Sequence, residues 1–285
     1  MRHSEGNFLG AGGKSIYFQC WHPEHNVRAL VVIVHGAAEH GGRYQPFAEY
    51  FTERGYAVAA LDQIGHGRSD GGRCCIRSFD EHQETLRLFQ RRLEEGNPGL
   101  PMILLGHSMG GLIAANYLLA HQSQFQGCIL SGPAIKTELQ PPWYQFLLIR
   151  LFSALTPDLG VLQLDASGVS RDPAEVERYV NDSLNFTGKM TARMVSEMFR
   201  AMQNIQQRAG EIELPVLLLH GGEDSMTAPS GSQFLNDHVA SADKTLKIYP
   251  GLYHEIFNEP ERLDVFGDVE RWLDARLPAM EPVTQ

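Results

Sequence analysis

A serine, a histidine and an acid, far apart in this chain, have the residue types and settings that acyl transfer needs. Gly106-His107-Ser108-Met109-Gly110 joins a continuous apolar run to a helix-compatible stretch. A G-x-S-x-G turn between a buried strand and a helix presents its hydroxyl at the sheet edge. Side chains at Gly106 and Gly110 would collide with neighbouring backbone, and the tight turn forces Ser108 into a strained region. The helix N-terminus then aims free N–H groups at a developing anion. The Met109 N–H is the natural oxyanion donor.

A serine hydroxyl needs a base to take its proton. The base needs a third group to hold its tautomer and stabilise its charged form. Behind such an elbow the chain order is serine, acid, histidine. Asp224 follows the apolar run Pro215 to His220 through the polar turn Gly-Gly-Glu, so it sits at the carboxyl end of an expected strand. Its nearest rival is Glu223. His254 follows the run Leu246 to Tyr249 and the turn Pro-Gly-Leu-Tyr, on a loop before the last helix. Of the alternatives, His220 reads as structural at the end of a strand and His238 lies in an expected helix.

Upstream, His35-Gly36-Ala37-Ala38-Glu39-His40 follows the first buried run. A second oxyanion N–H should come from such a loop, and Ala37, just past His-Gly, is the candidate. His35 reads equally as a brace for this loop or as a core histidine with satisfied hydrogen bonds. Asp62 and His66, in DQIGHGRS, imitate a catalytic pair but read better as a glycine-rich turn whose polar side chains satisfy loop backbone. No cluster has metal-ligand geometry, so neither metal nor cofactor is expected.

The elements that must position these residues follow from apolar periodicity. Lys14 to Trp21 alternates as a strand with one wet face. Ala29 to Val34 (ALVVIV), Ala57 to Leu61, Pro101 to Leu105 and Cys128 to Leu130 are continuous runs suited to strands buried on both faces. Helices are expected over Tyr44 to Arg54, around Leu86, Phe89 and Leu93, and over Gly111 to His121. After a gap come strands at Val216 to Leu219 and Leu246 to Tyr249, each followed by a helix. The closing helix, Glu261 to Leu277, has Leu263, Phe266, Val269, Trp272 and Leu273 on its apolar side. Strands alternating with helices specify the α/β class, with a mostly parallel central sheet covered by helices on both faces. Ligands gather at the carboxyl ends of such strands, where every candidate above falls. Residues 134–211 break this rhythm with Pro141-Pro142, an apolar run from Phe146 to Leu155 and a helical segment from Met190 to Arg208. They read as a cap inserted into a core made of 1–133 and 212–285.

The chain has 285 residues, enough for one large core with an insertion. A net charge of −10 argues against a nucleic-acid partner, which needs clustered Lys and Arg. The first residues hold no apolar segment of a secretory signal, and the longest apolar stretch is about half of what a bilayer requires. The four cysteines lack zinc spacing. A cytoplasmic chain with reduced thiols is expected.

Taken together the motifs closely resemble the monoacylglycerol lipases of the α/β-hydrolase superfamily. The matching segments are HGAAEHGGRY (His35 to Tyr44), DQIGHGRSDG (Asp62 to Gly71), GHSMGG (Gly106 to Gly111), LLLHGGED ending at Asp224, and YPGLYHE with His254. The resemblance covers both ends of the core and weakens over 134–211. It implies hydrolysis of a glycerol monoester, a small-molecule lipid, with Ala37 and Met109 as oxyanion donors. It also implies that Glu39 and Arg43 organise the polar end of the pocket. The same two residues equally suit a local i,i+4 pair. An apolar cap face meeting the membrane surface is implied too, which Trp143, Phe146, Leu147, Leu151 and Phe152 could supply; ordinary packing within the cap is the alternative. A lysophospholipase, a broad carboxylesterase, or an inactive binding relative would share these motifs.

Overall fold

A computed structural model describes residues 1–137 and 143–277. In chain order its elements are β1 (Arg2–Leu9), β2 (Ser15–His22), β3 (Ala29–Val34), α1 (Gln45–Thr52), β4 (Tyr56–Leu61), α2 (Asp80–Gly96), β5 (Met102–His107), α3 (Met109–His121) and β6 (Gly127–Ser131). There follow α4 (Trp143–Leu155), β7 (Gly160–Gln163), α5 (Pro173–Asn181), β8 (Lys189–Thr191) and α6 (Ala192–Arg208). The chain then returns through β9 (Val216–Gly221), α7 (Pro229–His238), β10 (Lys244–Tyr249) and α8 (Arg262–Asp274). Eight strands form one sheet in the order β1-β2-β4-β3-β5-β6-β9-β10. The β1–β2 and β2–β4 pairs are antiparallel and the others parallel. This is the α/β-hydrolase architecture.

The continuous apolar runs exist because both faces of the sheet are dry. Along β3, Leu30, Val32 and Val34 enter the core beneath α2, α3 and α6, while Ala29, Val31 and Ile33 enter the core beneath α1 and α8. In α1, Phe47 and Phe51 are fully buried, and Phe266 of α8 meets Phe47 edge-on at 5.4 Å. Helix α2 turns Leu86, Phe89 and Leu93 to the sheet, as its period requires. Leu263 departs from expectation: it is exposed at the first turn of α8, and the buried stripe runs from Val265 to Leu273.

Helix α5 and two further features escaped the pattern reading. Strand β1, RHSEGNFL, is an edge strand with few apolar contacts, so no alternation marks it. Between α4 and α6 a two-stranded antiparallel ribbon pairs β7 with β8. The helices between β6 and β9 are not alike. Helix α6 plants Met194, Ala201 and Ile205 in the main core, whereas α4 leaves Leu147, Leu148, Leu151, Phe152 and Leu155 exposed. Pro141 and Pro142, and the side chains of Trp143 and Phe146, lie outside the described residues.

Candidate active site

The turn between β5 and α3 holds Ser108 at φ 52° and ψ −119°. A non-glycine residue there is strained, and such strain persists only where surrounding structure over-determines it. Three backbone hydrogen bonds do so. Ser108 N donates to Ser131 O at 3.0 Å, and Ser108 O accepts from Ala134 N at 3.0 Å and Leu112 N at 3.1 Å. Close approach does the rest: a Cβ on Gly106 would meet Gly110 O, and one on Gly110 would strike the carbonyl oxygens of Val34 and His35. Ser108 itself remains partly exposed while its neighbours are buried.

His254 lies on the loop after β10, packed beside this turn. Its ring centroid is 4.7 Å from that of His107, the residue before the serine. Gly132, at the end of the strap that receives Ser108 N, faces both other members: a Cβ there would be 3.3 Å from His254 Nδ1 and 3.4 Å from Asp224 Oδ2. His254 Nδ1 stands 2.7 Å from Asp224 Oδ2. A carboxylate only accepts, so Nδ1 carries the hydrogen and Nε2 is left free to act as a base.

Asp224 is held from both sides. Its Oδ1 accepts from the N–H groups of Met226 (2.8 Å) and Thr227 (2.9 Å). Its Oδ2 meets Thr227 Oγ1 at 2.9 Å and a second imidazole, His220 Nε2, at 3.1 Å. Burial would raise the pKa of this carboxyl, but His254 and the hydrogen bonds outweigh it and hold the acid well below the usual range. Burial likewise opposes charging His254, and Asp224, followed by Glu255 and Glu39, reverses this to leave its pKa raised. Burial, then His254, pushes His107 down to about 4.

The loop after β3 lies directly against the serine. A Cβ on Gly36 would be 3.1 Å from Ser108 Cβ. His35 shows how the loop is bolted: Nδ1 donates to Gly36 O at 2.7 Å and Nε2 accepts from Gln63 N at 2.8 Å. Burial pushes its pKa down to about 3. Both nitrogens are used and the ring is neutral, so His35 is a brace. Asp62 accepts from Gly41 N and Arg68 N, each at 2.8 Å, and His66 Nδ1 donates to Ile64 O at 2.9 Å. Those two residues serve loop backbone and not each other. Ala37 N–H and Met109 N–H meet no acceptor among the described residues.

Glu39 and Arg43 form the expected i,i+4 pair at 3.1 Å, but the pair belongs to a larger cluster. Glu39 Oε1 accepts from Gly36 N at 2.6 Å and Tyr44 Oη at 3.1 Å. Arg43 grips Glu255 through two bonds of 2.5 and 2.6 Å and reaches Glu175 of α5 at 2.9 Å. Its guanidinium also lies 4.8 Å from the Tyr179 ring centroid. Glu39, Arg43, Tyr44 and Glu255 line a cavity of about 10 Å³ with Phe47, His107, Phe257 and Asn258, room for roughly one water.

Comparison with known proteins gives the family. The family model described as serine aminopeptidase S33 matches residues 25–261. A monoacylglycerol lipase of Mycolicibacterium smegmatis is 40% identical over 274 residues, 96% of this chain and 98% of that protein. The chain belongs to the monoacylglycerol lipase family. Human monoglyceride lipase is 30% identical over 273 residues, 95% of this chain and 90% of that one. The crystal structure of a monoacylglycerol lipase from Paleococcus ferrophilus superposes with a TM-score of 0.82 at 31% identity, covering 97% of this chain and all of that one. This member of the monoacylglycerol lipase family is therefore a serine esterase of the lipase type.

Within that family framework, sequence reasoning missed Glu175, Glu255, Thr227 and Ser232. Glu255 follows His254 directly, yet an acid beside a candidate histidine carries no signal of its own. Glu175, on α5, reads as a solvated helix residue until the fold brings it to Arg43.

Proposed function

We propose that this chain hydrolyses monoacylglycerols to fatty acid and glycerol through Ser108, His254 and Asp224. Ser108 attacks the ester carbonyl while His254 Nε2 takes its proton. The tetrahedral oxyanion rests on the Ala37 and Met109 N–H groups, each worth roughly 3 kcal/mol of transition-state stabilisation. Glycerol departs with the proton from His254, and water repeats the sequence on the acyl-enzyme. The observation that carries this reading is the buried Asp224–His254 pair, at 2.7 Å, beside a strained and partly exposed serine at a helix N-terminus.

A glycerol leaving group matches the polar wall in charge, the cavity itself having room for about one water. Glu39, Arg43 and Glu255 face the small cavity, and three carboxylates surround the one guanidinium. A wall with excess negative charge suits a neutral polyol and repels the phosphate of a lysophospholipid. In this reading Arg43 and Glu39 hold the wall in shape, and residues 134–211 roof the acyl chain as a cap. The exposed leucines of α4 would meet the lipid surface; no helix among the described residues is long and apolar enough to cross a membrane.

Ser108→Ala tests the assignment. It should abolish monoacylglycerol hydrolysis and fluorophosphonate labelling with the circular dichroism spectrum unchanged, and retained turnover would falsify the nucleophile. A turnover series on monoacylglycerols against lysophospholipids tests the leaving group. Leu147→Ser with Leu151→Ser should weaken co-sedimentation with vesicles while leaving hydrolysis of a soluble ester intact; undiminished vesicle binding would remove α4 from the interface.

A further inference from the structure

We propose that His220, anchored by Ser232, is a positioning residue that orients Asp224 and moderates its pull on His254; this rests on the catalytic reading above. The structural observation is a second chain of hydroxyl, imidazole and carboxylate behind the first. Ser232 Oγ stands 2.7 Å from His220 Nδ1, and His220 Nε2 stands 3.1 Å from Asp224 Oδ2. The other imidazole on the same oxygen is His254, at 2.7 Å. His220 and Ser232 are wholly inaccessible to solvent, so no substrate reaches them and they act only through Asp224.

The tautomer follows from the partners. His220 Nε2 faces two oxygens without hydrogens, Asp224 Oδ2 and, at 3.2 Å, Thr227 O. Nε2 therefore carries the hydrogen, and Nδ1 meets the Ser232 hydroxyl, which can supply one. Strand β9 ends at Gly221 and α7 contributes Ser232, so the anchor ties the acid to two rigid elements rather than to its own loop. Among the described residues the other partners of Oδ2 are His254 Nδ1, on a loop, and Thr227 Oγ1, whose hydroxyl also lies 3.0 Å from Gly132 O.

Two consequences differ in kind. Removing the Nε2–H donor frees the carboxylate to rotate, which lowers kcat. It also leaves more negative charge on Oδ2 for His254, which favours the imidazolium and moves the acid limb of kcat/KM to higher pH. The other charged and titratable groups facing His254 are His107 from β5, Glu39 from the loop after β3 and its neighbour Glu255, and all are unchanged in the variant.

The experiment compares His220→Leu, His220→Gln and Ser232→Ala, with rates normalised to sites titrated by a fluorophosphonate. His220→Leu should lower kcat about tenfold, the worth of one hydrogen bond to a charged group, leave KM for a short soluble ester unchanged, and raise the acid limb. His220→Gln returns an N–H near the same place and should recover most of kcat and the original limb. Ser232→Ala should shift the limb the same way by less. A lower titre of active sites with an unmoved limb and unmoved kcat would show a purely structural role and overturn the proposal. If His220→Leu does not fold, Ser232→Ala decides: a native limb and kcat there overturn it too. Failure of the catalytic reading shows separately, as turnover in Ser108→Ala.

Discussion

Two buried ionic clusters meet at one loop, and they are built with opposite logic. Around Asp224 a single acid is surrounded by donors: two backbone N–H groups, a threonine hydroxyl and two imidazoles. Around Arg43 a single cation is surrounded by three carboxylates. His254 and Glu255 are consecutive, yet their side chains diverge into the two clusters. Four of the five donors on Asp224 come from residues 220 to 227, so that cluster is largely local to one strand end. The Arg43 partners come from the loop after β3, the loop after β10 and α5. The first cluster therefore sets the protonation and orientation of one imidazole. The second sets where three segments of chain stand relative to one another. An acid that orients an imidazole needs many weak bonds, whereas a structural cation can satisfy several charges at once through its fixed fork.

If this division is right, damage to the two clusters separates rate from stability. Asp224→Asn should lose about four orders of magnitude in kcat, because the amide favours the wrong tautomer of His254, with little change in Tm. A comparable loss in Glu223→Gln instead would move the acid by one residue. Arg43→Met should act the other way. Two buried carboxylates, Glu39 and Glu255, lose their counter-charge, while Glu175 keeps Arg178 at 2.6 Å, and breaking a buried ion pair from one side costs roughly 3 to 5 kcal/mol. Thermal unfolding should show a large drop in Tm; a native Tm would mean that the cluster does not hold the segments together.

The smallest effect sharpens the comparison by sign. His254 has a raised pKa, so its basic form is lost as pH falls through a value above the ordinary 6.5, and activity should fall with it. Glu255 is among the groups that raise it. Glu255→Gln should move the acid limb of kcat/KM to lower pH, opposite to the direction expected for His220→Leu. Limbs moving the same way in the two variants would show that the clusters do not act independently on the ring.

Much of the frame was legible because its signals are local. Strands with both faces buried must be apolar throughout, as ALVVIV is, and a strand–serine–helix turn must carry glycine where backbones touch. β1 was not legible, since an edge strand with one poor face has no such requirement. The β7–β8 ribbon was missed for the same reason, its strands being four and three residues long and well separated in sequence. Leu263 kept the helical period but fell beyond the sheet's reach.

The sequence by itself determined the α/β order and the spacing that brings a serine, an acid and a histidine to strand ends, because periodicity and turn chemistry are written in neighbouring residues. Tertiary structure alone decided which charges share a burial site. Coulomb attraction and desolvation depend on distance in space, so Glu175, Glu255 and His220 acquire their partners only once segments tens to hundreds of residues apart, or the two ends of one turn, have packed against the same sheet.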